Sequence, residues 1–421
     1  MTDAGAPLDA LTATPGPIAR ASVARVGVAT VVSALCGYTV LYLAARTLDP
    51  AGFSVFGVFW GAFGLVAGAA NGLLQEATRE VRASRHRPAG HGADTRPMWV
   101  AAGVAVAAAT VIAGTAVLWA PHVFAESRVL SVVLLSIGLA GFCLHATLLG
   151  MLAGVGNWTL YGSLMVTDAV IRVLIAGATV ALGWGLVGFL WATVGGAVAW
   201  LMMLSISRSA RAAAGVRTEV GVGDFLRGAA HSIAAAGASA VLVMGFPVLL
   251  KATSGELGAA GGIVILAVTL TRAPLLVPLT AMQGNLIAYF VDHRRTRLRA
   301  LLLPAAVVAG LGALGVISAA LLGPWLIRTA FGSDYEAGPA LLAWLTAAAV
   351  SVALLTLTGA ATVAAALHRA YAAGWVGATV AAALLLTLPL DLPTRTVVAL
   401  LCGPLVGIAV HLFALQRSES R

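Results

Sequence analysis

DAVIRVLIAGATVALGWGLVGFLWATVGGAVAWLMML, residues 168–204, is apolar almost from end to end, yet it opens on an aspartate and an arginine and is interrupted only by Gly183, Trp184 and Gly185. A helix needs roughly 20 mainly apolar residues to cross a bilayer. The stretch therefore reads as two spans, about 160–182 and 185–206, divided at Gly-Trp-Gly. The count matters because every loop downstream changes sides with it.

The rest of the chain is of the same kind. Of its 421 residues 60% are hydrophobic and 10% charged, with a mean hydropathy of +0.97, well outside the range of soluble domains. The sequence specifies an all-α integral membrane protein. Ten further apolar stretches bring the expected spans to twelve, at about 23–45, 53–75, 98–119, 129–151, 230–250, 259–281, 300–322, 338–361, 367–389 and 395–415.

Charge placement supports that number. With the N-terminus in the cytoplasm, 18 of the 25 basic residues fall in cytoplasmic loops and tails and five on the other side, leaving Arg172 and Arg272 within spans. Basic residues gather on the cytoplasmic side of membrane proteins, and a missed or spurious helix would invert every later loop and scramble the bias. Both termini are expected inside, and nucleic-acid binding is an unnecessary reading of the pI near 10.3. The ratio of 24 Arg to 1 Lys hints at a GC-rich bacterial host.

The expected organisation is a cytoplasmic segment 1–22, a six-helix bundle 23–206, a linker 207–229, a second bundle 230–415 and a tail 416–421. The start lacks a basic stretch followed by a short apolar core and cleavage site, so the first span is expected to be retained. The loops after the second and eighth spans are both Arg-rich, while those after the fourth and tenth are nearly free of basic residues. Arg46 with Asp49 and Gly52 ends the first span, as Lys251 with Glu256 and Gly258 ends the seventh. Six spans per copy give a parallel repeat about an axis along the membrane normal, with a cavity expected between the halves. General similarity among positively biased loops is the competing explanation.

No GxxxxGK[ST], HExxH, CxxC or GxSxG motif is present, and external loops are short, so no enzyme machinery, catalytic residue, metal or cofactor is expected. Cys36, Cys143 and Cys402 lie in apolar stretches without paired spacing and read as small lipophilic side chains.

An ionised side chain near the bilayer centre costs about 2.5 to 3.5 kcal/mol on insertion scales and usually faces the bundle interior. Asp168 and Arg172, at i and i+4, can pair on one helix face, either as a self-neutralising lock or with Arg172 lining a polar cavity that Asp168 tunes. Arg272 has no acidic residue within a turn or two, so its charge must be met by another helix, water or ligand; substrate contact and anchoring to helix carbonyls are both open. Pro274 and Pro278 are expected to bend the span beside it. Arg46 and Lys251 are further candidates for substrate contact. Asn71, Gln75, Glu76 and Arg79 at the end of the second span, with Gln283 and Asn285 at the end of the eighth, are candidates for a cytoplasmic mouth or for plain solvated helix ends. His145 reads as a packed interhelical hydrogen bond or a proton carrier. Trp99, Trp119, Trp158, Trp184 and Trp325 sit near span ends as interfacial anchors.

Several segments carry a family likeness. YLAARTLDPAGFSVFG (42–57) resembles the first external loop of polysaccharide flippases of the multidrug, oligosaccharidyl-lipid and polysaccharide exporter superfamily. NGLLQEATREVRA (71–83) is similar to the ending of their second span, with Arg79 at the arginine. The stretch 168–204 resembles their fifth and sixth spans with Arg172 at the arginine position, and FGSDYEAGPALLAWL (331–345) the loop into their tenth.

The resemblance implies two six-helix bundles around a central cavity, moving a lipid-linked oligosaccharide on a polyprenyl phosphate or pyrophosphate carrier across the bacterial plasma membrane, with membrane lipids and glycan-assembly enzymes as partners and no nucleic acid. Arg272 matches the region where related lipid II flippases carry an eighth-span arginine, but the chain lacks those proteins' two extra C-terminal spans. It also lacks the acidic residue that many multidrug exporters keep in the first or seventh span. Guanidinium groups suit an anionic headgroup because they stay charged and grip phosphate in a fork. A drug exporter of the same fold and a non-transporting scaffold for glycan assembly are the alternatives.

Overall fold

The computed structural model describes residues 17–84, 95–124, 126–293 and 296–419. In the first half, helix α1 (Pro17–Thr47) is followed by α2 (Pro50–Ser84), by α3 (Pro97–Gly114) and the short α4 (Ala116–Val123), and by α5 (Arg128–Gly154). Then come α6 (Trp158–Leu182) and α7 (Gly185–Gly195), which passes through a 3-10 turn at Gly196–Val198 into α8 (Ala199–Ile206). The short α9 (Arg208–Ala214) leads to the second half: α10 (Val222–Val243), α11 (Phe246–Ser254), α12 (Gly258–Ala281), α13 (Gln283–Asp292), α14 (Arg297–Phe331), α15 (Pro339–Ala364), α16 (His368–Leu385) and α17 (Leu392–Glu419).

The Gly-Trp-Gly interruption is a turn between two crossings. Gly183 caps α6 at φ +67° and Gly185 opens α7 at φ +56°, a left-handed conformation that a side chain would disfavour.

Among the described residues, eleven helical segments are long and apolar enough to span a membrane. The twelfth follows from geometry. Leu298 N–H, at the start of α14, donates to Glu419 Oε1 at the end of α17, 3.0 Å away, so an even number of crossings separates them and α16 must be one. Composition hides it because its first turn carries His368, Arg369 and Tyr371. The same parity holds in the first half, where Thr95 ahead of α3 pairs through backbone hydrogen bonds of 2.8 and 3.0 Å with Thr218 after α9. The fold is thus twelve helical spans in two six-helix bundles.

The linker and several spans depart from expectation. The linker expected at 207–229 is largely helical, because α10 starts at Val222; its first turns bury Phe225 and Ala229 while exposing Asp224 and Arg227, an amphipathic pattern that mean hydropathy misses. The third span breaks at Thr115 and the seventh at Met244–Gly245. The eighth is helical through Pro274 and Pro278, and a break falls after them, at Met282.

The bundles meet along α2. Gly57, Gly61, Gly64, Gly68 and Gly72 recur at helical spacing, and a Cβ on each would lie 2.8 Å from Ile265, 3.0 Å from Pro247, 3.2 Å from Met244, 2.6 Å from Ala240 and 2.2 Å from the Ile233 nitrogen. Four of these neighbours belong to α10, α11 or α12, and Met244 sits at the break between α10 and α11. On its other side α2 receives α5, whose Gly150 would bring a Cβ within 2.4 Å of the Leu74 carbonyl. By contrast α1 makes few contacts with α12, so the bundles part on that side.

Because Ile233 presents backbone to Gly72, nothing there can yield to a side chain. Gly72→Val is expected to lower stability by about 1 to 3 kcal/mol or more, read as a fall in melting temperature in detergent. Gly103→Ala, with no neighbour within 4 Å of its Cβ, should melt at or above the wild-type temperature; equal melting of the two variants would remove the seam from the account.

Candidate functional site

Asp168 and Arg172 face inward as a bidentate pair: Arg172 Nε donates to Oδ2 at 3.1 Å and Nη2 to Oδ1 at 3.0 Å. Their side chains are 16% and 14% exposed, so both charges are largely withdrawn from solvent. Gly196 makes the room: a Cβ there would fall 2.2 Å from Asp168 Oδ1 and 2.7 Å from Arg172 Nε. The guanidinium also lies over the Phe63 ring of α2, 5.3 Å from its centroid.

Arg272 is 7% exposed and has found carbonyls. Its Nη1 donates to Val243 O at 3.2 Å and, longer, to Leu242 O at 3.4 Å. Those groups are left over by the break in the seventh span: Pro247, four residues after Val243, has no N–H to give, and a cation at a helix C-terminus is favoured by the dipole. The Phe246 ring covers the guanidinium at 5.3 Å, and Tyr38 of α1 lies within electrostatic reach. The Nη2 atom is buried without a hydrogen-bond partner.

The two arginines thus flank one turn of α2. Arg172 rests on Phe63, while the helix break that Arg272 holds abuts Gly61 and Gly64 through Met244 and Pro247.

The other expected site residues lie elsewhere. Arg46, exposed in the last turn of α1, sits beside Gly332. Lys251 donates to the Gly255 carbonyl and lines a cleft of about 220 Å³ with Glu126 and Glu256. Neither joins the intramembrane arginines. Arg79 is tied to Glu76 at 2.6 Å and to Glu80 at 2.9 Å; both carboxylates are buried, and Glu76 fits against Gly228 of α10. Asn71 is half-buried and Gln75 exposed, while Gln283 and Asn285, half-buried and exposed, sit on α13 beyond the Met282 break.

His145 is buried and stacked on Phe142 at 5.4 Å, its Nδ1 without a hydrogen bond. Asp168 and Arg172 act on it electrostatically. The satisfied interhelical histidine is instead His411, between Thr358 Oγ1 at 3.0 Å and the Tyr371 carbonyl at 3.2 Å. Sequence reasoning passed over it, as it passed over Phe63, Phe246 and Glu80. Among the described residues no group of three or more His, Cys, Asp or Glu could hold a metal ion.

Where α1 ends and α2 begins, the bundles are fastened across the seam. Tyr335, between α14 and α15, donates to the Leu48 carbonyl at 3.2 Å and packs edge-on against Phe53 at 6.0 Å; Tyr42 meets Phe331 at 5.7 Å. Burial, with Asp49 and Asp334 nearby, holds the Tyr335 phenol above the ordinary tyrosine range.

Two outcomes follow from this geometry. Removing one partner of a buried pair leaves a charge uncompensated, so Asp168→Asn should cost about 3 kcal/mol in stability, and a double-mutant cycle with Arg172→Gln should recover much of it; additive losses would mean the pair is not coupled. At that fastening, Tyr335→Phe should speed labelling of a cysteine at Ser54 by a water-soluble maleimide in detergent. Since the folded state holds the phenolic proton more tightly than the unfolded chain, the wild-type closure should persist through the ordinary tyrosine titration near about pH 10 and weaken only above it. Unchanged labelling in the variant would discount the fastening.

No family model matches the chain. It is 68% identical to "Uncharacterized protein Mb3654" of Mycobacterium bovis over 99% of this chain and 97% of the relative. "Uncharacterized protein Rv3630" and "Uncharacterized protein Rv1510" of Mycobacterium tuberculosis are 67% and 65% identical over 99% of this chain, covering 97% and 96% of their own lengths. Among solved structures, the fold matches an inward-facing multidrug resistance MATE family transporter of the MOP superfamily at TM-score 0.68 and 15% identity, over 92% of this chain and 96% of that one. A MOP superfamily transporter from Pyrococcus furiosus, described as having a binding pocket of reverse polarity, matches at TM-score 0.60 and 14% identity, over 94% and 96%. With twelve spans on a fold shared with MATE transporters, and that identity over nearly the whole of both chains, the chain belongs to the family of these mycobacterial membrane proteins.

Proposed function

We propose that the protein is a transporter that carries an anionic amphiphile, a lipid-linked saccharide on a polyprenyl phosphate or pyrophosphate, between membrane leaflets by alternating movement of its two bundles. The observation that carries this reading is Arg272: a buried guanidinium at the seam with one nitrogen unpartnered and, among the described residues, no carboxylate bonded to it. Phosphate oxygens are the natural complement of such a group. Arg172 is already neutralised by Asp168 and serves as support. An apolar cleft of about 570 Å³ between α12, α14 and α15, lined by Leu270, Pro274, Leu311 and Leu326 among others, offers a hydrocarbon tail a slot in the same bundle. On this reading the protein works in the bacterial plasma membrane with its arginine-rich face toward the cytoplasm, beside the enzymes that assemble the glycan.

A second reading, export of small-molecule drugs, draws on the multidrug transporter among the fold neighbours. One experiment separates the two. In proteoliposomes, a fluorescent polyprenyl-pyrophosphate oligosaccharide should exchange leaflets with the wild-type protein, and Arg272→Gln should slow it by at least about tenfold, the scale of one hydrogen bond to a charged group. Ethidium efflux without leaflet exchange would favour the drug exporter, and neither activity would favour the scaffold.

A further inference from the structure

A second built cleft lies on the outside of the first bundle, between the beginnings of α1 and α6, and has a volume of about 600 Å³. Its rim is polar and cationic. Arg25 reaches across from α1 and donates through Nη1 to Thr159 Oγ1 at 3.1 Å, while its exposed guanidinium retains further donors. Trp158, the first residue of α6, stands beside it, set edge-on to Tyr161 at 5.7 Å. Below the rim the cleft turns apolar: Val28, Ala29 and Val166 line it, and Gly162 lets the helices close on Ala29, where a Cβ would come within 3.2 Å.

The slot opens toward lipid, since Val28 is 64% exposed. Among the described residues lining it Arg25 carries the only formal charge. The nearby Asp168 is committed to Arg172 at 3.0 Å. A cation and an indole at headgroup level above an apolar furrow match one kind of molecule, a lipid with an anionic head and an acyl chain. A zwitterionic head would set its own cation against Arg25.

We infer that the α1–α6 cleft is a binding site for an anionic phospholipid of the leaflet on the arginine-rich face, its phosphate held by Arg25 beside Thr159 and one acyl chain lying along Val28, Ala29 and Val166. The site is separate from the Arg272 seam and does not rest on the transport reading. Its consequence is mechanical, because α1 packs chiefly on α6 and only sparsely on the second bundle; a lipid seated across both helices ties the start of α1 to its bundle.

Native mass spectrometry of the full-length protein tests this, with cardiolipin, phosphatidylglycerol and phosphatidylcholine added in turn as probes. Cardiolipin and phosphatidylglycerol adducts should exceed phosphatidylcholine adducts. Arg25→Gln should weaken the anionic adducts by about fivefold, the scale of one arginine at an anionic surface, with Arg25→Lys largely restoring them and Thr159→Val giving a smaller loss. Arg208→Gln removes the same charge from an exposed position on the same face and should change nothing. Equal losses in the Arg25 and Arg208 variants would reduce the effect to general surface charge and overturn the site. Indifference to headgroup charge, or retention of polyprenyl phosphate with no phospholipid, would overturn it as well.

Discussion

Close backbone contact along α2 is the constraint on which the rest of the structure depends. Inside a bilayer, burying apolar side chains against one another gains little, because lipid tails are equally apolar, and helices associate through close packing of small residues. The five glycines from Gly57 to Gly72 let the second bundle approach to distances that a Cβ at Gly57, Gly68 or Gly72 would not meet without a shift, and that one at Gly61 or Gly64 would crowd. The opposite side of α2 takes α5 in the same way at Gly150 and Gly154, the latter against Val81. One helix therefore serves both bundles as a wall. A seam of glycines also carries no side-chain knobs that must be lifted past one another, which suits two bodies that shift relative to each other.

That wall also sets the two intramembrane arginines, and their surroundings give them different standing. Arg172 gains a bidentate carboxylate from its own helix, so the pair enters the membrane with no net charge. Arg272 gains only carbonyl dipoles from a broken neighbour and the face of Phe246. Dipoles offset part of the cost of burying a charge but leave the charge itself in place, and the free Nη2 marks where compensation is incomplete. The site therefore has a net positive character that comes from one residue, although two were available.

What could be read from sequence follows the range of each interaction. The Gly183–Gly185 turn and the Asp168–Arg172 pair lie within a few residues of chain and were legible, the first from glycine, the second from i, i+4 spacing. Twelve spans were legible because loop charge alternates with each crossing, a signal that survives even the polar start of α16. The partners of Arg272 were not: Leu242 and Val243 are 30 and 29 residues away, and they accept its hydrogen bonds only because the seventh span breaks, which Gly245 and Pro247 inside an apolar run did not announce. His411 was missed because its acceptor and its neighbour come from α15 and α16. The α2 glycines did carry a readable signal, GxxxG-like spacing, but 48 glycines in the chain hide one stripe among many.

The two halves repeat one plan but break their helices in different places: the third and sixth spans are interrupted at Thr115 and Gly196–Val198 where α14 and α17 run through, and the first pair of spans differs the other way. In the first half α1 and α2 are each continuous, whereas their counterparts are split, the seventh span at Met244–Gly245 and the eighth at Met282. Each split leaves carbonyls without helical donors, which in lipid must be met by something else. At the seventh span that something is Arg272. A group that binds Arg272 can meet the free Nη2 while Nη1 stays on the carbonyls that hold the split, and any pull on the guanidinium is then felt at the joint between α10 and α11. Because that joint abuts Gly61 and Gly64 of α2 through Met244 and Pro247, a change there is transmitted to the seam between the bundles, while the continuous helices of the first half give it a rigid surface to move against.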